Sequence, residues 1–235
     1  MLDFTGQTII VTGATGNVGA ALAETLARLG ASLALADMRE APLRELADRI
    51  GGAPLVIAGA DVRDKDGAQR IARECQARFS RIDGLANTVG TFKHGNIHED
   101  AAGDWAMLME LNALSALRLS EAVLPAMRAQ SYGRIVHVAA GAGARAFAGA
   151  GVYSASKAAV MRITEAISEE NKALGITANC IMPGTIDTPQ NRAAMPNADH
   201  STWVQPADVA AVVAFLLSRS AQALTGAAVP VTGRQ

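Results

Sequence analysis

Aromatic residues make up only 4% of this 235-residue chain, charged residues 18%, and cysteine occurs twice. Cys75 and Cys180 lie far apart in helix-like and strand-like stretches, which argues against a disulfide framework and for buried reduced thiols. A formal net charge of −1 leaves no basic excess, so neither a nucleic-acid face nor a polybasic membrane patch is expected. No uncharged apolar run is long enough to span a bilayer. The opening MLDFTGQ carries an acid early and has no apolar h-region, so no signal peptide is expected and a soluble, cytoplasmic location is. His94 and His98 stand four apart without a cysteine or a third ligand nearby, and no metal site is expected. No linker, repeat or low-complexity block interrupts the chain, so residues 1–235 read as one domain.

What is abundant is small and apolar. Half the residues are hydrophobic and 22 are glycine, a composition suited to helices packed closely on a parallel sheet. Apolar strand-like runs alternate with amphipathic helical ones throughout, as in an α/β doubly wound fold. Strands are expected at Ile9–Val11, Ser32–Ala36, Pro54–Ala58, Asp83–Val89, Gly133–Ala139, Ile176–Met182 and Ala227–Thr232. Between them, helices are expected from Ala20 to Leu29 and at Glu40–Ile50, Asp64–Phe79, Ala101–Met127, Gly151–Leu174 and Pro206–Ser218. A loop is expected at Thr91–Glu99, a small-residue loop before Gly151, and an irregular segment at Thr185–Gln205.

The stretch Gln7–Gly19, QTIIVTGATGNVG, organises the rest. A buried strand runs into Gly13, Gly16 and Gly19, which lead into a helix. Strand, glycine turn and helix N-terminus form a phosphate cradle. Glycines let the backbone approach a pyrophosphate, and the first turn offers unpaired N–H groups and the positive end of the dipole. The spacing is G-x-x-G-x-x-G rather than the commoner G-x-G-x-x-G. Asp37 follows Gly19 by 18 residues at the end of the second strand, where a carboxylate would take the adenosine ribose hydroxyls. An acid there repels a 2′-phosphate, so NAD(H) is the expected cofactor. Arg39, two residues on, keeps NADP(H) open.

Tyr153-Ser-Ala-Ser-Lys157 is the reactive motif. At i and i+4 on a helix, phenol and ammonium share a face. The cation is expected to lower the phenol's pKa from about 10, making the tyrosine an acid/base near neutral pH. Such a pair alone is also compatible with an exposed helix surface. Its place after the fifth strand of a dinucleotide fold is what gives it meaning.

With TGATGNVG at 12–19, Asp37, Asp61-Val62, Asn87-x-x-Gly90, Asn112, Tyr153-x-x-x-Lys157 and Pro183-Gly184-x-x-x-Thr188, the chain resembles the short-chain dehydrogenase/reductases over essentially its whole length. The resemblance implies a Rossmann-type domain with a seven-stranded parallel sheet. It implies cofactor contacts from the turn (Gly13, Thr15, Gly16, Asn17, Val18 and Gly19), from Asp37, and from Asp61 and Val62 at the adenine edge. Asn87 and Gly90 would shape the pocket, and Asn112 would hold a water in a proton relay to Lys157. Lys157 would also hold the nicotinamide ribose, with Tyr153 as acid/base. Beyond Pro183 and Gly184, Ile186 and Thr188 would position the carboxamide. Family members are commonly tetramers joined through two long helices, here Ala101–Met127 and Gly151–Leu174.

The glycine spacing is that of the family's extended and atypical branches (TGxxGxxG), whereas the remaining motifs fit the short form, and NTVG in place of NNAG is a small change. A third departure is large. The family's catalytic serine stands thirteen residues before the tyrosine, where this chain has Ala140, preceded by Ala139. Losing one such donor typically costs on the order of 10²–10³ in rate. Ser154 points about 100° away from Tyr153 around the helix and is a poor substitute, and Ser156 belongs to the usual motif. A substrate that becomes aromatic or conjugated on taking hydride needs less oxyanion help. Thr185–Trp203, TIDTPQNRAAMPNADHSTW, is similar to the corresponding segment of the dihydropteridine reductase branch (TLDTPxNRxxMPxADxxxW in form), which also lacks the serine and reduces a quinonoid dihydropterin.

Plainer readings stand beside these. His137 is expected to pack within its strand. Arg145 and Arg192 could meet a polar substrate or sit on the surface, and Phe147, Met195 and Trp203 could line the pocket or belong to the core. Glu165 and Glu169 read as solvated helix face. Three functions follow from the sequence: hydride transfer to or from a small carbonyl, alcohol or quinonoid substrate; the dihydropterin version of it; or a non-catalytic dinucleotide sensor, motivated by Ala140.

Overall fold

The computed structural model of the chain describes residues 2–99 and 101–234. Seven parallel strands form one sheet in the order β3-β2-β1-β4-β5-β6-β7. They are β1 (Thr8–Thr12), β2 (Ser32–Asp37), β3 (Leu55–Ala58), β4 (Gly84–Asn87), β5 (Gly133–Val138), β6 (Ile176–Pro183) and β7 (Ala228–Val231). Every residue of β1 is buried, which is why TIIVT carries no polar/apolar alternation. In register, β1 lies between β2 (Val11 beside Leu35) and β4 (Val11 beside Ala86). Strand order therefore reverses between β1 and β4, and a crevice opens beyond their carboxyl ends.

Helices cover both faces. On one lie α1 (Asn17–Arg28), α2 (Glu40–Ile50) and α9 (Pro206–Leu217), and their Leu22, Leu26, Leu43, Val213 and Leu217 pack with Ile9, Val11 and Leu35. On the other lie α3 (Lys65–Phe79), α5 (Ser115–Gln130) and α7 (Gly151–Asn171), where Ile71, Leu119, Val123 and Ile167 pack on Ile10, Leu85 and Ile135. The alternation read from the sequence thus becomes two apolar layers around a sheet. No helix among the described residues is long and apolar enough to cross a membrane.

Four segments differ from expectation. The single helix expected at Ala101–Met127 is composite: a 3₁₀ turn (Ala101–Asp104), α4 (Trp105–Leu108), a π-helical turn (Met109–Leu114) and then α5, which runs on to Gln130. A π turn takes one residue more per turn, a shift too local to disturb the apolar periodicity that signals a helix. The small-residue loop contains α6 (Gly141–Ala144), and the irregular segment contains α8 (Pro189–Ala194). Thr188 caps α8 by accepting a hydrogen bond from the Asn191 amide, with Pro189 in its first turn. Strand β4 is shorter than Asp83–Val89, although the Asp83 and Thr88 amides still donate to the Thr8 and Thr12 carbonyls at its two ends.

Candidate active site

The glycine turn closes on β4. Gly13 has φ +65°, and a Cβ there would stand 3.0 Å from Thr88 Oγ1 and 3.1 Å from the Val89 amide. A Cβ on Gly19 would come within 2.3 Å of the Gly13 carbonyl oxygen. Thr88 braces the turn by donating to the Thr12 carbonyl at 2.8 Å. The first turn of α1 has Gly16 as its cap and no capping side chain, leaving its amides open to an acceptor from outside. Glycine at 13 and 19 thus lets the turn pack on itself and on Thr88 where no Cβ would fit.

Asp37, at the end of β2, accepts from the Thr15 amide at 3.1 Å, the Thr15 hydroxyl at 2.7 Å and the Arg39 amide at 3.1 Å. Burial works to raise its pKa, but these hydrogen bonds and the Arg39 charge outweigh it and hold the carboxyl below its usual range. The Arg39 guanidinium bonds to the Thr15 hydroxyl and lies 3.5 Å from the carboxylate. Asp61, past β3, is engaged by the Arg63 guanidinium at 2.6 Å, and Val62 is buried beside it.

Across the crevice, β6 ends at Pro183, and the Gly184 amide donates to the Val231 carbonyl at 3.0 Å. Ile186 bridges to Val204, and its carbonyl accepts from Asn191 Nδ2 at 2.8 Å. Arg192 makes a bidentate pair with Asp187, at 2.5 and 2.8 Å, and Gln205 also bonds Asp187 at 2.9 Å. Arg192 is therefore a brace for this segment. Asn17, at the start of α1, donates to Gln190 at 3.2 Å, so the two walls of the crevice touch.

Asn112, Tyr153 and Lys157 meet near the carboxyl ends of β4 and β5. Lys157 is 4% exposed, and its ammonium donates to the Val138 carbonyl at 2.8 Å. Asn112, inside the π turn, accepts from the Thr91 amide at 2.9 Å and donates to the Thr91 carbonyl at 3.0 Å and to Ser156 Oγ at 2.9 Å. Ser156 in turn donates to the Tyr153 carbonyl at 2.7 Å. Asn87 accepts from the Thr12 hydroxyl at 2.9 Å and donates to Ser115 at 3.3 Å, tying the carboxyl ends of β1 and β4 to α5. Thus Asn112, Tyr153 and Lys157 share one site, with Gly90 between Asn112 and Lys157.

One expectation is reversed. Burial pushes the Tyr153 phenol up to about 12, rather than Lys157 drawing it down. The ammonium lies 5.9 Å from the ring centroid and gives one of its three N–H groups to the Val138 carbonyl. Burial also lowers Lys157 itself, to about 8. His137 is fully buried, as expected of a packing residue, and lies 3.1 Å from the Ser120 hydroxyl; burial lowers it to about 4.

A family model described as short chain dehydrogenase matches residues 7–199. The chain belongs to the short-chain dehydrogenase/reductase family. It is an NAD(P)-dependent oxidoreductase of that family. Among relatives, it is 30% identical over 240 residues to the 3-oxoacyl-[acyl-carrier-protein] reductase FabG of Vibrio cholerae, covering 99% of this chain and 98% of that one. It is 33% identical over 192 residues to an uncharacterized oxidoreductase of Staphylococcus saprophyticus (80% of this chain, 82% of that one). It is also 29% identical over 244 residues to nodulation protein G of a Rhizobium species, covering 99% and 98%.

In this short-chain dehydrogenase/reductase, Ala140 is extended at the start of α6 and 8% exposed, so it offers a methyl group where the family has a hydroxyl. The Ser154 hydroxyl is buried and has no hydrogen-bond partner among the described residues. Phe92 escaped the sequence reading. Its ring meets Tyr153 edge-on at 4.9 Å while remaining 53% exposed, and nothing in a nine-residue loop marks one phenylalanine for that contact. Thr88 escaped too, since its role depends on the bare backbone of Gly13 and Gly19 across the sheet. His94 lies against Gly149, where a Cβ would fall 1.9 Å from Nε2, so it packs the Thr91–Glu99 loop onto the start of α7. Trp203 is buried against His200, while Phe147 and Met195 are exposed.

Proposed function

We propose that the protein is an NAD(H)-preferring oxidoreductase that transfers hydride between nicotinamide and a small carbonyl, alcohol or quinonoid substrate. The observation that carries this reading is a buried ammonium, Lys157, beside a tyrosine, on the same carboxyl edge of the sheet as the glycine turn. The residues fit a dinucleotide. Gly13, Thr15, Gly16, Asn17, Val18 and Gly19 would receive the pyrophosphate on bare backbone, and Asp37 would accept from the adenosine ribose. Asp61 and Val62 would border the adenine. Asn87, Gly90, Pro183, Gly184, Ile186 and Thr188 would enclose the nicotinamide end with Tyr153 and Lys157. NADP(H) is the alternative that Arg39 supports, since it lies beside Thr15 and Asp37 with most of its side chain exposed.

A phenol raised to about 12 is protonated at neutral pH, so Tyr153 acts as the acid in the reducing direction. Its hydroxyl gives its proton to the substrate oxygen, and the phenolate left behind is stabilised by the Lys157 ammonium. Asn112 is a positioning residue. Its amide is fully used on Thr91 and Ser156, so it fixes the turn that carries Tyr153 rather than offering a free donor. Phe92 covers one edge of the phenol and shields it from water.

With Ala140 in place of a hydroxyl, one proton donor serves the substrate oxygen. A quinonoid acceptor, whose reduction yields a conjugated ring, asks less of that donor than a plain ketone. The dihydropteridine-reductase-like reading, on a quinonoid dihydropterin, rests on this and on the similarity of Thr185–Trp203. A small-molecule substrate and a homotetramer joined through α5 and α7 complete the reading. Turnover of NADH and NADPH against panels of ketones, quinones and a quinonoid dihydropterin tests it. Faster NADH oxidation with the quinonoid class supports it, and cofactor binding without turnover of any class would leave a sensor.

A further inference from the structure

At the opposite, amino-terminal edge of the sheet lies a cavity of about 360 Å³ whose walls include Tyr132, Arg134, Lys172, Thr177 and Arg219, and no acidic residue. Arg134, in the second position of β5, is 3% exposed. Its Nη1 donates to the Gly133 and Gly175 carbonyls at 2.8 Å each, and its Nε to the Ser218 carbonyl at 3.4 Å. No acceptor among the described residues takes its Nη2, and no carboxylate there pairs with it. Neutral carbonyls satisfy N–H groups but do not supply the counter-charge a buried guanidinium needs.

The surroundings sharpen this. The guanidinium carbons of Arg134 and Arg219 lie 4.4 Å and 5.1 Å from the same Tyr132 ring, placing two like charges close together. Burial and the Arg219 charge both lower the pKa of Arg134, with Tyr132 partly opposing them. Lys172 adds a third cation, paired with Glu169 at 2.6 Å. Thr177 stands beside Arg134 in the β5–β6 register, and its buried hydroxyl has no partner among the described residues. A planar fork, a second guanidinium and a free hydroxyl thus line one cavity.

We propose that this cavity binds a small oxyanion, a phosphate or carboxylate group, which supplies the counter-charge that Arg134 and Arg219 lack. Forked guanidinium donors match the paired oxygens of either group. The Thr177 hydroxyl would donate to a third oxygen. The site lies at the end of the strands away from Tyr153, so its ligand is an effector or structural anion rather than substrate.

The test is isothermal titration and thermal unfolding of the full chain with inorganic phosphate and with citrate, against chloride at matched ionic strength. Saturable binding with a Tm rise of about 3 °C or more is expected. The stronger of the two responses identifies the head group as phosphoryl or carboxyl. Arg219→Glu places a carboxylate beside Arg134. It should raise the Tm in anion-free buffer and weaken anion binding at least about tenfold. Thr177→Val should weaken binding about two- to tenfold. A response no larger than that to chloride overturns the proposal. So does anion binding that is unchanged in both variants, which would place the ion elsewhere, as on the glycine turn.

Discussion

Gly90 and Lys157 are matched in size. A Cβ on Gly90 would stand 3.0 Å from the Lys157 ammonium and 2.9 Å from Asn112 Oδ1. Neither neighbour is free to retreat, since Lys157 is held by the Val138 carbonyl and Asn112 by Thr91 and Ser156. Gly90→Ala is therefore expected to lower the Tm by several degrees, as overpacking a held site costs about 1–3 kcal/mol, and to force the ammonium out of place. A misplacement of about 1 Å near reacting groups costs on the order of 10² in rate. Steady-state kinetics should show kcat lowered by about that factor, and an unchanged kcat would mean that Lys157 does not act from this position.

Lys157 also sets a pH dependence. Burial lowers it to about 8, so the charged form prevails below that pH and is lost as pH rises through it. The rate should therefore fall above about pH 8. In Lys157→Arg the guanidinium keeps its charge throughout, so the residual activity should show no fall in that range. The pH profiles of kcat/KM for the two proteins, measured side by side, check this.

Cofactor choice turns on Asp37 and Arg39. Replacing Asp37 by serine keeps an acceptor for Thr15 and removes the charge that repels a 2′-phosphate, while Arg39 remains to attract one. The ratio of kcat/KM for NADH over NADPH is expected to fall by about tenfold or more, as the loss of one charge interaction implies. A ratio that does not move would show that selection is made elsewhere.

Ala140→Ser restores a hydroxyl at the start of α6. Reduction of plain ketones should rise by about tenfold or more, whereas a quinonoid substrate should respond little. Equal responses to both classes would remove the reason for favouring quinonoid acceptors.

Much of this was readable in the chain because its signals are short-range. TIIVT announces a doubly buried strand, and Gly13 and Gly19 announce a backbone that must approach something closely. The seven strands and their flanking helices follow from the same alternation. The π turn around Asn112 was not readable, because one extra residue in one turn leaves the apolar stripe intact. The Asp187–Arg192 pair spans five residues rather than the three or four of a helix face, so no periodicity exposes it. The rise of Tyr153 to about 12 depends on how deeply the ring is buried, which only the folded packing decides. Arg134 gives no warning either, since only the fold brings Arg219 beside it.

The most direct test of the central claim is to measure NADH binding and single-turnover NADH oxidation, with the fastest acceptor from the ketone, quinone and quinonoid dihydropterin panels taking the hydride, on the same preparations of wild-type protein and Tyr153→Phe. The phenyl ring preserves the packing on Phe92 and removes only the transferable proton. Binding should stay within about twofold while oxidation falls by at least about 10³. A Tyr153→Phe protein that still oxidises NADH at a comparable rate would contradict the account.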